Sequence, residues 1–320
     1  MRKRSKVLLA AAAVLAVGPF LVPVNSSGTV SNDSLVRSES LVQTGDFRTH
    51  VVNLPSEQPS DVLFVLLHGF GASTASWKAV SEPLSELGEV IAYDRPAFGL
   101  TDRPTNWTGA NPYSSDGALA QLDTLLQQYA SQGKRVYLVG HSAGAMVAAQ
   151  FALDNPERVD GLILVAPAIL TGGGAPGWLN WLFFVPQIDH LGPLLVSGIA
   201  QSGLQILEDS YFDPTLITDE TLAAYQQPLQ IAGWERAFWE FNRADRSFDA
   251  AQRLSDIEIE TLVITGDTDK IVDPADSSKI DDLINDSRLV VLNDLGHLPH
   301  EENPELFMEA VRENWAWLSE

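Results

Sequence analysis

Residues 136–153 read VYLVGHSAGAMVAAQFAL, and this stretch decides the fold class. It begins with a short, continuously apolar run, which is typical of a strand that is buried on both faces. The turn GHSAG at residues 140–144 then leads into a helix-like run. Such a turn between a strand and a helix places its serine on a tight, strained bend, where the helix N-terminus stabilises developing negative charge. We therefore predict that Ser142 is a nucleophile at the edge of a sheet.

The same alternation continues on both sides of this stretch. Short apolar runs occur at residues 62–67, 90–93, 136–139, 162–165, 262–265 and 289–292. Helix-like segments occur at residues 114–132, 143–155 and 304–319. Runs of this kind are typical of parallel strands with helices on both faces. We predict an α/β fold with a mostly parallel sheet that is covered on both sides and preceded by a hairpin over residues 35–54.

The alternation stops between residues 168 and 254, where Gly, Pro and aromatic residues replace the strand-like runs. The aromatic residues include Trp178, Trp181, Phe183, Phe184, Tyr211, Trp234, Phe238 and Trp239. We predict a helical cap over residues 168–254, inserted into a core of residues 35–167 and 255–320. Most of these aromatic side chains are expected inside the cap, and a few along a pocket between cap and core.

The N-terminus has the pattern of an export signal. Four cationic residues lie within residues 1–6, and an apolar run over residues 7–17 continues to residue 24. We predict export, with the protein either extracellular or anchored in a membrane and facing outward. Residues 7–24 are at the lower length limit of a spanning helix, so a cleaved signal and a membrane anchor both stay open. Residues 25–34 are polar and rich in Ser, which is typical of a linker.

Charge and composition exclude several classes of protein and site. The formal net charge of −22 would repel a phosphate backbone, so we expect no binding to nucleic acid. The chain has no cysteine, which excludes disulfides, thiolate metal sites and a Cys nucleophile. Its histidines lack paired ligand spacing, and no Gly-x-Gly-x-x-Gly motif opens the first βα unit. We therefore expect neither a metal nor a cofactor, and the sequence predicts no oligomeric state.

A serine hydroxyl needs a base within hydrogen-bond reach, usually a histidine whose ring is held by a carboxylate. In this type of fold the chain order is serine, acid, histidine, and only His297 and His300 follow the last predicted strand. The glycine before His297 permits a bend that swings the imidazole over the serine, so we predict His297 as the base. His300 is the alternative, and otherwise it makes a structural contact near the glutamates that follow it.

Two aspartates compete for the role of the acid. Asp267 and Asp269 both lie in the loop after the run 262–265, and catalytic groups in parallel sheets gather beyond the carboxyl ends of strands. The spacing does not choose between them. The aspartate that is not the acid is expected to order the turn through its own backbone.

The sequence HGFG at residues 68–71 follows the first buried run. Backbone amides in this loop and after the nucleophile can form an oxyanion hole, and we predict the amides of Phe70 and Ala143 for that role. Phe70 is expected to contribute its amide and not its ring. Two other carboxylates, Asp94 in a loop and Asp123 in a helix pattern, are interpreted as structural.

These motifs together resemble the α/β-hydrolase superfamily from residue 41 to residue 318, apart from the cap. The resemblance rests on HGFG at 68–71, DRPAFG at 94–99, GHSAG at 140–144, GDTD at 266–269 with Val272, and GH at 296–297 with Glu302 and Pro304. It implies the α/β-hydrolase fold. It also implies Asp269 as the acid, because the acid of the family usually matches the second aspartate of that loop.

The resemblance implies a serine hydrolase that cleaves an acyl ester, or a related carbonyl bond, of a small and moderately apolar substrate through Ser142, His297 and Asp269. Residues 94–104 are also similar to epoxide hydrolases and haloalkane dehalogenases, but these use an Asp nucleophile where this chain has Ser142. Perhydrolysis as in cofactor-free haloperoxidases, thioester hydrolysis and carbon–carbon bond hydrolysis of diketones fit the same triad. A non-catalytic ligand-binding protein on this fold is a further alternative.

Overall fold

A computed structural model of the chain describes residues 14–130, 133–171 and 177–320. Within these residues the strands are β1 Leu41–Thr44, β2 Phe47–Leu54, β3 Val62–Leu67, β4 Glu89–Tyr93, β5 Arg135–His141, β6 Gly161–Val165, β7 Thr261–Gly266 and β8 Ser287–Leu292. They form one sheet in the order β1-β2-β4-β3-β5-β6-β7-β8. Strands β3 to β8 pair in parallel, and only β1 and β2 are antiparallel to their neighbours in the described sheet. The predicted mostly parallel sheet is confirmed.

The described helices lie against the sheet or in the cap. They are α1 Lys78–Ser85, α2 Ser115–Tyr129, α3 Ala143–Asp154, α4 Pro186–Ser197, α5 Ile199–Ser210, α6 Asp219–Gln226, α7 Trp234–Arg243, α8 Ala250–Arg253, α9 Pro274–Leu283, α10 Pro299–Glu302 and α11 Pro304–Leu318. Short 3₁₀ helices join them, among them Gly177–Phe184 and Gln227–Gln230 in the cap.

The two faces of the sheet are buried in separate apolar clusters, because successive side chains of a strand point to opposite faces. On one face Leu63 of β3 is in a cluster with Leu122 and residues of α3. On the other face its neighbour Phe64 is in a cluster with Trp77 and Phe307. Every residue of β3, β6 and β7 is buried. The continuous apolar runs of the sequence therefore mark strands that are covered on both sides.

Helices α4 to α7 lie between β6 and β7 in the chain, where the sequence predicts the cap. Trp234 and Trp239 are buried in the interior of this helical segment. Trp181 and Phe184 are each 62% exposed, so the expectation that the cap aromatics are mostly interior does not hold for them. The side chain of Trp178 lies outside the described residues. The aromatic residues of the segment therefore lie in two different environments, some in an apolar interior and some on the exposed surface.

Helix α8 falls within the predicted cap, but it packs against the core. The Oε1 atom of Gln150 in α3 accepts hydrogen bonds from the amides of Asp249 and Ala250 at 2.9 and 3.0 Å. Ala250 is fully buried in the same cluster as the side chains of α2 and α3. The helical segment that covers the pocket therefore ends before residue 249, a few residues earlier than the sequence predicts.

The predicted export segment lies partly outside the described residues, since the description begins at Val14. Residues Gly18–Leu21 form a 3₁₀ helix, and the carbonyl oxygens of Ala16 and Val22 lie 3.2 and 3.0 Å from side-chain nitrogens of α4. No helix in the described ranges combines the length and the apolar character that crossing a membrane requires.

Residues 26–33, which the sequence predicts as part of a linker, pack against the folded body. We call this segment the strap. It makes a parallel bridge between Val30 and Ile231 of the cap, and the side chain of Asn32 donates to Asp102 of the core at 2.6 Å. The segment differs from a linker because the side chains of Ser26 and Ser27 bind Glu235 of the cap and that of Asn32 binds Asp102 of the core.

Candidate active site

Ser142 stands on the turn between β5 and α3 with a backbone φ of +51°, which is unusual for a residue with a side chain. The flanking glycines explain how the chain can make this turn. A Cβ atom on Gly140 would lie 2.5 Å from Cα of Ala145, and one on Gly144 would lie 2.2 Å from the carbonyl oxygen of Leu67. The GHSAG sequence therefore allows strand, turn and helix to approach closely and holds Ser142 in a strained conformation.

His297 lies in the loop after β8, where its Nδ1 atom is 2.7 Å from Oδ2 of Asp269. Both side chains are buried. The other carboxylate oxygen of Asp269 accepts hydrogen bonds from the amides of Ile271 and Val272 at 2.7 and 3.0 Å. Because Nδ1 faces this carboxylate, the ring of His297 is held in one orientation. Nε2 is then the ring nitrogen that can act as the base.

Asp269 is thus the aspartate that meets His297, whereas Asp267 is exposed. The sequence left this choice open and expected the other aspartate to order the turn. The structure differs, because Asp269 orders the turn with one oxygen and contacts His297 with the other. The two amides that donate to Oδ1 of Asp269 also fix the plane of the carboxylate, and this directs Oδ2 at the imidazole of His297.

His300 and His141 lie beside His297 without sharing its environment. His300 Nε2 is 3.0 Å from Ser76 Oγ, and its ring stacks on Trp77 with a centroid separation of 4.4 Å. Burial lowers the pKa of His300 to about 3. Burial, together with the neighbouring His297 and His300, also lowers the pKa of His141 well below its usual value. Both rings are neutral at pH 7, so they add no positive charge that would oppose protonation of His297.

The loop after β3 has its peptide groups fixed by two side chains. Arg95 Nη2 donates to the carbonyl oxygens of His68 and Gly69 at 3.0 and 3.2 Å, and His68 Nδ1 is 2.7 Å from the Gly69 oxygen. The carbonyl of Gly69 and the amide of Phe70 belong to one planar trans peptide, so they point in opposite directions. Holding the Gly69 oxygen therefore fixes the direction of the Phe70 amide, which we predict for the oxyanion hole.

The second predicted amide belongs to Ala143, the first residue of α3. The first amides of a helix have no acceptor within the helix and stand at its positive end. In the described part of the chain neither this amide nor that of Phe70 donates to another protein group. The arrangement leaves two donors available next to Ser142.

A cavity of about 580 Å³ lies between the cap and the core, and Ser142, His141 and His297 line it. Its apolar walls include Phe70, Phe98, Leu207, Leu229, Trp234 and Phe238. The ring of Phe70 is edge-on to those of Phe98 and Phe238, with centroids 5.6 and 5.5 Å away. The expectation that only the amide of Phe70 matters was therefore incomplete, since its ring forms part of the apolar wall.

The remaining carboxylates of interest have structural contacts. Asp94 is fully buried and accepts hydrogen bonds from the amides of Thr74 and Leu100 at 2.6 and 2.7 Å. Asp123 forms an ion pair with Arg158 near the surface. In the ranges that the structure describes, no group of three or more acidic or histidine side chains could hold a metal ion.

Sequence reasoning missed Arg95, His68 and Glu302 as residues that position the site. Glu302 accepts hydrogen bonds from the amides of Gly296 in the histidine loop and of Phe212 and Asp213 in the cap. No single sequence pattern shows that a side chain will hold the backbone of a distant loop. For Arg95 and Glu302 the signal that could have found them is a charged residue next to a predicted site loop, because a buried charge needs such partners.

A family model described as the alpha/beta hydrolase fold matches residues 62–304. A 2-hydroxy-6-oxo-2,4-heptadienoate hydrolase of Pseudomonas putida is 27% identical over 286 residues, covering 85% of this chain and 94% of that protein. The abhydrolase domain-containing protein abhd-5.2 of Caenorhabditis elegans is 36% identical over 129 residues, which are 38% of this chain but only 28% of that protein. A thermophilic esterase from Thermogutta terrifontis has a similar structure, with a TM-score of 0.66 at 22% identity, covering 88% and 98% of the two chains.

Proposed function

Because the chain belongs to the α/β-hydrolase family and is a hydrolase, we propose that it is a serine hydrolase that cleaves an acyl ester bond of a small, moderately apolar substrate. One observation carries the proposal. The ring of His297 is held by Asp269 at 2.7 Å and lines the same cavity as Ser142, which stands on a strained turn. A nucleophile, a base and an acid that orients the base are the groups that acyl transfer requires.

In the proposed mechanism His297 Nε2 takes the proton of Ser142 while Oγ attacks the carbonyl carbon of the ester. The amides of Phe70 and Ala143 donate to the oxyanion, and Asp269 stabilises the imidazolium of His297. When the tetrahedral intermediate collapses, the imidazolium gives its proton to the leaving alcohol. His297 then deprotonates a water molecule, which attacks the acyl-enzyme. When the bond between the acyl carbon and Oγ breaks, the imidazolium of His297 returns the proton to Ser142 Oγ and the carboxylic acid leaves.

The cavity favours a neutral acyl group over one that carries a carboxylate. Among the residues that the structure describes around the cavity, Arg103 is the only one with a cationic Lys or Arg side chain. Its guanidinium already donates at 2.6–2.9 Å to four carbonyl oxygens of residues 96–101. A carboxylate buried among apolar walls without a cation would be costly. This supports ester hydrolysis over cleavage of a dienoate of the kind named for the Pseudomonas relative, which we keep as the second candidate because of that similarity.

Hydrolysis of p-nitrophenyl esters from acetate to palmitate tests the proposal. We expect Ser142→Ala to lower kcat by about 10⁴-fold or more, because the nucleophile acts as one unit with its base. The exposed Ser38→Ala variant is the matched control and should keep wild-type rates.

Labelling with a fluorophosphonate separates the outcomes. If the wild type reacts with the label but cleaves no ester, the result favours carbon–carbon bond hydrolysis or perhydrolysis over ester hydrolysis. A wild type that neither reacts nor turns over any ester would contradict a serine mechanism and favour a ligand-binding protein.

A further inference from the structure

The strap, residues 26–33, is attached to the cap by a buried carboxylate. Glu235, at the start of α7, is 3% exposed, and three groups of the strap donate to it. Ser26 Oγ donates to Oε2, and the amide and hydroxyl of Ser27 both donate to Oε1, each at 2.6 Å. Burial acts to raise the pKa of Glu235, but these hydrogen bonds outweigh it and keep the pKa below its usual value. The carboxylate is therefore charged at pH 7, and three of its hydrogen bonds come from the strap.

The backbone of the strap also fits closely against the residues before α7. The amide of Val30 donates to the carbonyl of Gln230, and the amide of Ala232 donates to the carbonyl of Val30, both at 2.9 Å. At Gly28 the two segments approach so closely that a Cβ atom would lie 2.2 Å from the carbonyl oxygen of Ile231. Residues 230–232 are thus held by main-chain contacts that admit only glycine at position 28.

The other end of the strap is attached to the core. Asn32 Nδ2 donates to Oδ1 of Asp102 at 2.6 Å and to the carbonyl of Leu100 at 3.3 Å. Arg48 of β2 pairs with Asp33 of the strap and with Asp102, at 2.6 and 2.9 Å. The strap therefore connects the cap, at Glu235, to the core, at Asp102.

The segment of the cap that the strap holds is a wall of the active-site cavity. Pro228, Leu229, Gln230 and Trp234 all line the cavity. Trp234 is contacted directly, since its Nε1 donates to Ser27 Oγ at 3.0 Å. The wall begins with the 3₁₀ helix Gln227–Gln230, and so short a helix has few internal hydrogen bonds to stabilise it. Its position depends on what packs behind it.

We propose that the strap is a specificity element, which fixes the wall formed by residues 228–234 and thereby determines how well long acyl groups bind. The inference rests on the proposed ester hydrolysis. An acetyl group occupies little of a cavity of about 580 Å³, whereas a long acyl chain gains its binding from apolar walls. A loosened wall therefore weakens the binding of the long substrate more than that of the short one.

The test compares p-nitrophenyl decanoate with p-nitrophenyl acetate in the full chain. Gly28→Val forces the strap away from Ile231, and Glu235→Gln keeps the packing but replaces one acceptor oxygen with a donor. We expect both variants to lower the decanoate-to-acetate ratio of kcat/KM by about fivefold or more, mainly through KM, as the loss of one or two hydrogen bonds implies. Ser31→Ala is the matched control, because Ser31 is an exposed strap residue whose hydroxyl donates to Asp33 at 3.4 Å.

Hydrogen exchange of residues 228–243 gives a second measurement that does not depend on turnover. Faster exchange in Gly28→Val and Glu235→Gln than in Ser31→Ala, with the lowered ratio, supports the proposal. Ratios and exchange rates within twofold of wild type in both variants overturn it. If wild type cleaves no ester but the exchange responds, the strap holds the wall and the proposed function fails. A shifted exchange with an unchanged ratio contradicts the role in specificity.

Discussion

The peptide group between Gly69 and Phe70 shows how a residue that does not line the cavity can act on the reaction. Arg95 holds the Gly69 oxygen, and peptide planarity transmits that contact to the Phe70 amide. Arg95 is buried, and burial lowers its pKa only to about 10, so the guanidinium is charged at pH 7. Both neighbouring carbonyl oxygens accept from the one Nη2 atom, whose N–H bonds are fixed in the guanidinium plane, whereas the rotating ammonium of a lysine has no such fixed directions.

We expect Arg95→Lys to lower kcat by about 10-fold to 100-fold with a small change in KM, because a misdirected oxyanion donor weakens binding of the transition state. Steady-state kinetics on p-nitrophenyl acetate measure this. Arg288→Lys, at an exposed position of β8, is the control and should be silent. An unchanged kcat in Arg95→Lys would show that the Gly69 carbonyl is held well enough by His68 alone.

Sequence patterns predict single residues well where local geometry requires a residue type. The elbow is such a case, because Gly140 and Gly144 leave no room for a side chain. The choice between Asp267 and Asp269 is different, since both stand in the same loop and only the approach of His297 from 28 residues away separates them. The spacing does not distinguish the two aspartates, and only the family resemblance predicts Asp269. The catalytic roles of Asp269 and His297 stay predictions.

At the scale of elements, Glu302 connects the histidine loop to the cap. Its Oε2 accepts from the amide of Gly296 at 2.8 Å, and its two oxygens also accept from Phe212 and Asp213 at 3.1 and 2.8 Å. A second contact runs in parallel, because the amide of His297 donates to the carbonyl of Ser210 at 2.7 Å. The loop that carries His297 is therefore supported by the cap and not by the sheet alone.

Glu302→Gln places an amide NH₂ against one of these backbone donors, which leaves at least one N–H without an acceptor. We expect the free energy of unfolding to fall by about 2 kcal/mol, as for a buried hydrogen bond to a charged group. We also expect kcat to fall while KM changes little, since the position of His297 shifts. Glu305→Gln, at an exposed site on α11, is the control for urea unfolding and for kinetics. Loss of stability at an unchanged kcat would refute the coupling to His297.

Elements were predictable where burial imposes a continuous apolar run. The run at residues 62–67 has the bounds of β3, and the runs at 90–93 and 136–139 lie within β4 and β5. The first predicted strand, in contrast, begins at Leu41 and not near residue 35. Residues Asn32–Ser34 and Ser38–Ser40 form 3₁₀ turns instead. Asn32 donates a hydrogen bond to Asp102, a contact between positions 70 residues apart. Such partners are not visible in a local pattern.

At the scale of the whole molecule, the buried neutral histidines make stability depend on acidity. Burial lowers the pKa of both His68 and His300 to about 3, against 6.5 for an unperturbed histidine. Between pH 6.5 and pH 3 the unfolded chain therefore binds protons that the folded protein does not. The free energy of unfolding falls as the pH is lowered through this window. Asp94 extends the effect to lower pH, because its pKa is about 2 in the folded protein against 3.8 for an unperturbed aspartate. Its contribution to stability is present above pH 3.8 and is lost as the pH falls from 3.8 to 2.

His300→Gln removes one of these groups while it keeps a polar side chain next to Ser76. Unfolding by urea at pH 7 and at pH 5 should show that wild type loses more stability between the two conditions than the variant. The expected difference is about 2 kcal/mol, because one histidine with an unfolded pKa of 6.5 takes up most of a proton by pH 5. The variant should be less stable than wild type at pH 7, since the stacking on Trp77 is lost, and that offset cancels in the comparison. An equal loss in both proteins would mean that folding leaves the pKa of His300 unchanged, and the lowered pKa that we attribute to its burial would then be wrong.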